Sequence, residues 1–388
     1  ERTTEKACPQ LDNFPHIRYD PHSADTLYIG ITNHVDQTEQ FLQTLTEAHG
    51  VPGYETEVRA VLRHYMAPLG DLSQDKLGSL ICHSAGEGPR VMLAGHMDEI
   101  GLIITHIDDN GFLKFLQLGG WWDQTLLSQR VIVKTHRGDV VGVVGAKPPH
   151  LLSADERGKM VEKKDMYIDI GSTNKAETEA AGVRVGDPVV PDSRFVVMAG
   201  GQTYLAKAFD NRIGCAVVID VLRHFQSAAH PNDLYGVQTV MEEVGLRGAT
   251  TSARAVDPDV AIIIESDIAG DVPGIKKEQS SVRLGGGPGL SVFDARMIPN
   301  TKLRNLVIDT AAEQGIPLQF SSMPGGATDG GAIHVNNIGV PTVVIGVPSR
   351  HIHSHGSIIH RNDYDNAVKL VAALIAKLDA ATVASLTE

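Results

Sequence analysis

The sequence predicts an α/β fold: a mixed sheet sandwiched by helices and interrupted by a small, all-β, barrel-like insertion. Three observations lead there. Toward both ends of the chain, short apolar runs of strand character alternate with stretches of helical period, the texture of a sheet covered on both faces. Between about residues 100 and 191 that texture gives way to GLIITHI, GFLKFLQL, RVIVKT, DVVGVVGA and MYIDIG, separated by glycine or charged turns, as in a barrel or sandwich. At 388 residues the chain also exceeds what one core ordinarily holds.

Taken in order, residues 1–30 are polar and proline-bearing, without a periodic apolar pattern or the apolar centre of a signal peptide; no function is placed on them. Phe41, Leu42, Leu45 and Ala48 recur at helical spacing and are closed by Gly50. A second helix over about 55–66 is introduced by VPGYE and stopped by Pro68 and Gly70. LGSLICH reads as a strand, and RVMLAGHMDEIG leads four apolar residues and a glycine to His96, Met97 and Asp98. Beyond the insertion, AFDNRIG opens an apolar helix that either Asp210 or Asn211 could cap. The strands VQTVM, VAIII and TVVIGV follow, with helices near 301–314 and 364–378. The expected organisation is an extension (1–30), a catalytic α/β domain (31–99 and 192–388) and an inserted β domain (100–191).

Composition narrows the function. With 42% hydrophobic and 21% charged residues and a formal net charge of -13, the chain reads as soluble and globular. Its Lys and Arg form no cluster, which argues against nucleic acid as a partner. Absence of a ~20-residue apolar stretch argues against a membrane span. Cys8, Cys82 and Cys215 are odd in number and far apart, so neither a disulfide framework nor a thiolate zinc site is expected, and a reducing compartment, the cytoplasm, is. LGGGPG lacks a following Lys-Ser/Thr and is not a phosphate loop.

The chemistry is carried by YGVQTVMEEVGLRG, in which a strand-like run ends in Glu242 and Glu243. Neighbouring side chains at a strand end face opposite sides, so one glutamate can hold a metal while the other handles a proton. Alone, such a pair is ordinarily a solvated corner; a lone Asp before a helix is ordinarily a cap, and a lone His a polar contact. Here, however, His96 follows VMLAG, Asp210 precedes a helix, Asp267 follows VAIIIES and His353 follows TVVIGV. Ligands of open α/β sheets gather beyond the carboxyl ends of the strands. Nitrogen and oxygen donors delivered there suit two divalent cations. Asp98, two positions after His96, can hold the second imidazole nitrogen.

HMDEIG, AFDNRIG, MEEVGLRGA, ESDIAGDVPG, GGATDGGAI and SRHIHS together resemble the tetrahedral (TET) aminopeptidase family, glutamyl and deblocking aminopeptidases that are dinuclear zinc metallopeptidases. The resemblance covers nearly everything after residue 31. It implies a zinc aminopeptidase-like fold and two divalent metal ions per subunit, zinc by default, with cobalt or manganese able to use the same ligands. Asp210 would bridge the metals, with His96 and Asp267 completing one shell and Glu243 and His353 the other. His355 is the alternative to His353 in the histidine-rich last motif. Glu242 would be the general base toward a metal-bridging hydroxide, and Asp98 would orient His96. The implied activity is removal of N-terminal residues from short peptides, by a homo-oligomer whose dimers, formed through the insertion, assemble to a dodecamer. The long gap between His96 and Asp210 favours this family over relatives whose extra domain follows the glutamate pair. Competing readings are a related dinuclear carboxypeptidase or N-deacylase and, further off, a glycoside hydrolase, which would not need histidine ligands.

Overall fold

The structure, a computed structural model, describes residues 36–388. The expected extension, 1–30, and residues 31–35 lie outside the described residues. In chain order the strands are β1 (Asp71–Gln74), β2 (Leu80–Ser84), β3 (Arg90–His96), β4 (Gly101–Ile107), β5 (Leu113–Leu118), β6 (Arg130–Thr135), β7 (Gly138–Gly145), β8 (Tyr167–Asp169) and β9 (Pro188–Pro191). They continue with β10 (Val196–Val197), β11 (Thr203–Ala206), β12 (Asp233–Thr239), β13 (Val260–Ile268), β14 (Gly289–Asp294), β15 (Gln319–Met323), β16 (Thr342–Arg350) and β17 (Ser357–His360).

Among the described residues these make an 11-stranded sheet and a closed barrel. The sheet runs β1-β2-β12-β3-β13-β16-β17-β11-β10, with β14 against β16 and β15 against β14. Its centre, β12, β3, β13 and β16, is parallel, so all four carboxyl ends meet at one edge. These strands are apolar almost throughout because both faces are covered. Successive residues of β3 show the period of two: Val91 and Leu93 enter one core with Leu62, Val217 and Leu370, while Met92 and Ala94 enter another with Ala249 and Ile333. The barrel, β4-β5-β8-β7-β6-β9, packs its own core around Ile104, Phe115, Val133 and Ile168.

Two helices expected near the start form over Gln37–Glu47 and Thr56–Met66. The C-terminal helix begins earlier than expected, at Arg361–Ile375, because the His360 side chain accepts the Asn362 amide at its start. Helix Arg247–Val256, which directly follows the glutamate pair, escapes the apolar-period reading. Its buried face is made of Gly248, Ala249, Ser252, Ala253 and Val256, too small to stand out. The glycine-rich LGGGPG segment is a structural turn: Asp363, fully buried, accepts the amides of Gly285 and Gly287 at 2.7 and 2.8 Å. No helix of the described residues is long and apolar enough to cross a membrane.

Two features bring helix Phe209–Phe225 to the carboxyl edge. Its Gly214 packs against Gly95 of β3 so closely that a methyl group on Gly95 would lie 2.8 Å from the Gly214 carbonyl carbon. The second is a buried guanidinium. Arg212 donates to the carbonyls of Met97 (2.6 Å), Leu45 (2.7 Å), Ala48 (2.9 Å) and Gly50 (3.4 Å), and meets Glu99 at 3.4 Å. Lys207 donates to both oxygens of Glu99 at 2.7 Å. All three side chains are buried, so the first helix, the end of β3 and the start of Phe209–Phe225 are tied at one point. Removing one member of a buried charge network leaves the others unpaired in low dielectric. Arg212→Met is therefore expected to lower unfolding free energy by about 3–5 kcal/mol, measured by urea denaturation; an unchanged midpoint would show that the network carries no net stability.

Candidate active site

The parallel register sets the edge. His96, last residue of β3, lies opposite Thr239, last of β12, and the chain continues from Thr239 to Glu242 and Glu243. Met241 takes φ 54, a left-handed turn that brings both glutamates round toward β3. From β13 comes Glu265, and from the loop beyond β16 comes His353, itself at φ 60. Asp210 enters from helix Phe209–Phe225, whose first residues leave helical geometry at Asp210 and Asn211. Asn211 settles the capping question: its Oδ1 accepts the Gly214 amide at 3.0 Å, which frees Asp210 for the cluster.

His96 Nε2 stands 3.3 Å from Asp210 Oδ1, 3.6 Å from Glu265 Oε2 and 3.8 Å from Glu242 Oε2. His353 Nε2 stands 3.3 Å from Asp210 Oδ2 and 3.4 Å from Glu243 Oε2. Asp210 thus turns one oxygen to each imidazole. Three overlapping sets keep their ligand atoms within 4.8 Å of one another: His96, Asp210 and Glu265; Asp210, Glu243 and His353; and His96, Glu242 and Glu243.

Five of the six expected groups, His96, Asp210, Glu242, Glu243 and His353, are brought together. Asp267 is not; Glu265 stands where it was expected. The reason is local. Strand β13 runs on to Ile268 in register with β16, and the Asp267 side chain lies over the neighbouring glycines. A methyl group on Gly346 would come within 2.6 Å of Asp267 Cβ, and one on Gly289 would collide with its Oδ2. Burial there raises the Asp267 carboxyl to about 6. Glu265 and Asp267 both follow VAIII, so the apolar run alone does not choose between them. His355, the alternative to His353, packs 5.3 Å from the Trp121 ring; burial lowers its pKa to about 4, and it joins none of the three sets.

Asp98 does more than was expected of it. The His96 Nδ1 lies closer to the Asp98 carbonyl oxygen (3.1 Å) than to its carboxylate (3.5 Å). The carboxylate instead accepts the amides of Glu242 (3.0 Å) and Glu243 (3.1 Å), one on each oxygen. It therefore fixes the turn that carries both glutamates. The sequence reading also missed three supports. Asn211 Nδ2 donates to Glu265 Oε2 at 2.8 Å, Thr239 donates to the buried Asp329, and Glu55 accepts the Met241 amide at 3.2 Å. None announces itself in a sequence, because each side chain meets its partner only through the fold.

The electrostatics tell what charge the cluster suits. Burial disfavours charge on His96, yet Glu242, Glu265, Asp210 and Asp98 hold its pKa well above the usual value. Burial likewise opposes a charged His353, but Asp210 and Glu243 raise it to about 11. Asp210 is lowered despite burial, because both imidazoles bond to it. Burial, followed by Glu265, Asp329 and Glu243 and opposed by His96, pushes Glu242 well above the carboxylate range. Burial does the same to Glu265 against His96, and raises Glu243 against His353. Glu243 Oε1 and Glu265 Oε1 are buried without a hydrogen-bond partner. Hard oxygens and borderline nitrogens in excess of the charge that two imidazoles balance are the donor set of a divalent cation. The residues present fit one.

The cluster lines a cleft of about 590 Å³, closed on other sides by Gly120 of the barrel, Leu246, Ile268, Met323 and the Gly326–Ala327 backbone. The glycine-rich GGATDGGAI segment reaches the cleft through Gly326, whereas Gly330 and Gly331 are buried.

Comparison with known proteins identifies the family. The model of the family described as M42 glutamyl aminopeptidase matches residues 78–370, and one described as AMPT matches residues 36–62. Over 344 residues the chain is 42% identical to the putative aminopeptidase FrvX of Escherichia coli (strain K12), covering 88% of this chain and 96% of that one. A TET aminopeptidase structure from the marine sediment archaeon Thaumarchaeota archaeon SCGC AB-539-E09 matches with a TM-score of 0.90 at 49% identity, over 91% of this chain and 100% of that one. The Pyrococcus horikoshii TET1 peptidase, described as able to assemble into a tetrahedron or a large octahedral shell, matches with a TM-score of 0.80 at 32% identity, over 87% and 99%. With its α/β sheet, its barrel and this cleft, the chain belongs to the M42 family of aminopeptidases and is a peptide hydrolase.

Proposed function

We propose that the protein is a metal-dependent aminopeptidase that holds two divalent cations, zinc in the first instance, and trims short peptides from the N-terminus. The observation that carries this is Asp210, which offers one oxygen to the group with His96 and the other to the group with His353. One cation would be held by His96, Asp210 and Glu265, the other by Asp210, Glu243 and His353. Bound there, such cations acidify water and polarise a carbonyl. Everything else is done by the chain. Glu242 belongs to neither of these two sets, so its carboxylate is free to take a proton from the attacking water and return it to the leaving amine. Asp98 keeps Glu242 and Glu243 on their turn through the two backbone amides. Asn211 holds Glu265 Oε2 in position.

Assembly and location belong to the same reading. Leu116 on β5 and Val141 and Val143 on β7 are exposed on the outside of the barrel, as in surfaces that subunits cover. Together with the shells described for the Pyrococcus horikoshii relative, this supports a homo-oligomer, dimers building a dodecamer, with the barrel as an interface. Cys82 and Cys215 are free and buried, which fits a cytoplasmic protein.

The direct test is hydrolysis of aminoacyl anilides beside N-acylated amino acids, before and after chelation. Turnover is expected on the free-amine substrates alone, abolished by chelator and restored by zinc, cobalt or manganese. Activity that survives complete metal removal would sink the proposal. Glu242→Gln should lower kcat by roughly 10²–10⁴-fold while elemental analysis still finds the wild-type metal content. Near-native turnover would remove Glu242 from its role. Glu265→Ala should lose bound metal and activity together, whereas Asp267→Ala should keep both; the opposite pattern would restore Asp267 as the ligand.

A further inference from the structure

The cleft wall beside the cluster is apolar and partly open. Ile268, three residues beyond Glu265 at the end of β13, is 47% exposed, and Ile275 on the following loop is 40% exposed. Val272, Met323 and Ala327 line the same stretch. Single exposed aliphatic residues are common on protein surfaces. These are informative because they face the same cleft as His96, Asp210 and Glu243. In an exopeptidase acting at the N-terminus, the acyl side of the scissile bond carries a single residue. Its side chain is the one group of the substrate that must lie on the wall next to the reacting carbonyl.

The charges lining that wall restrict the choice further. Among the described residues the cleft lining holds no carboxylate outside the cluster, so a lysine side chain would find no partner among them. Among the described residues Arg296 is the one lining cation besides the histidines. It is exposed, and water and salt screen an exposed guanidinium. A glutamate side chain would also surrender hydration against Ile268 and Ile275 without gaining a buried partner. An aliphatic side chain leaves water at no such cost.

We propose that Ile268 and Ile275 form the wall that receives the side chain of the substrate's N-terminal residue, and that they select an aliphatic residue, such as leucine or methionine, over glutamate or lysine. This rests on the aminopeptidase reading above and names its substrate class. The test is a panel of leucyl, methionyl, alanyl, glutamyl and lysyl anilides with the metal-loaded enzyme and with the double variant Ile268→Ser/Ile275→Ser. Both side chains are half open to solvent, so the variant removes little from the core.

Leucyl and methionyl substrates are expected to exceed glutamyl and lysyl ones by roughly ten-fold or more in kcat/KM, the scale of discrimination in an apolar pocket. The variant is expected to lower the leucyl-to-alanyl ratio of kcat/KM about ten-fold. Calorimetric titration should show free leucine binding the wild type more tightly than free glutamate does, with that difference lost in the variant. A glutamyl or lysyl preference in an enzyme of normal turnover overturns the inference alone, as does an unchanged leucyl-to-alanyl ratio in the variant. Absence of turnover on every anilide overturns the aminopeptidase reading and the inference with it.

Discussion

The constraint on which this structure depends is the burial of several carboxylates at one edge of a sheet. Isolated, a carboxylate resists leaving water far more than a typical fold can offset. The chain meets the difficulty by giving nearly every one a fixed partner. Asp210 lies between two imidazoles, Asp98 accepts two amides, and Asp329 accepts the Thr239 hydroxyl. Glu265 accepts the Asn211 amide group, and Glu55 accepts the Gly53 and Met241 amides. Of the buried carboxylate oxygens these partners leave over, which include Asp329 Oδ1, those of Glu243 and Glu265 belong to the cluster, where a cation suits them. Structure and chemistry are therefore one problem here: the same donors that make the edge costly without positive charge make it a site with it.

Holding that arrangement requires backbone that would not form by itself. Non-glycine residues in the left-handed region occur at Ala208, Met241, Leu246, His351 and His353, in the segments that deliver Asp210, the two glutamates and the imidazole of His353. Such conformations persist only where surrounding contacts over-determine them. The Arg212–Glu99–Lys207 network is one such set of contacts. Arg212 lies two residues from Asp210, and Glu99 lies three from His96. Their shared bonds to Leu45, Ala48, Gly50 and Met97 anchor both ligand-bearing segments to the same helix end.

The architecture was legible in the sequence where the physics is local. Period-two alternation and unbroken apolar runs expose the barrel strands and the buried parallel strands directly. The places of His96, Glu242, Glu243 and His353 in the cluster were legible because each ends or follows such a run, and that of Asp210 because it precedes an apolar helix. Helix Arg247–Val256 was hidden because small residues pack its buried face. The choice between Glu265 and Asp267 was hidden for a different reason. Both lie on one strand two residues apart, and only the neighbouring strands, with glycines at 289 and 346, decide which carboxylate lies across the sheet and which reaches the edge. Asp98 was found by its spacing from His96, yet its main partners are amides 144 and 145 residues away, which no local pattern encodes.

The barrel is more than an attachment to this site. The loop after β5 lays its backbone directly on two of the proposed ligands. A methyl group on Gly119 would stand 3.0 Å from Glu243 Oε2, and one on Gly120 would stand 3.1 Å from His353 Nδ1. Next in sequence, Trp121 donates to the Gly101 carbonyl at 3.0 Å and packs on His355, two residues past His353. The loop after β5 thus meets the second proposed ligand set with glycine backbone. An insertion placed between His96 and Asp210 in the chain returns in space to the ligands that neither of those residues supplies. That return makes the barrel part of the cleft wall as well as a surface that other subunits could cover.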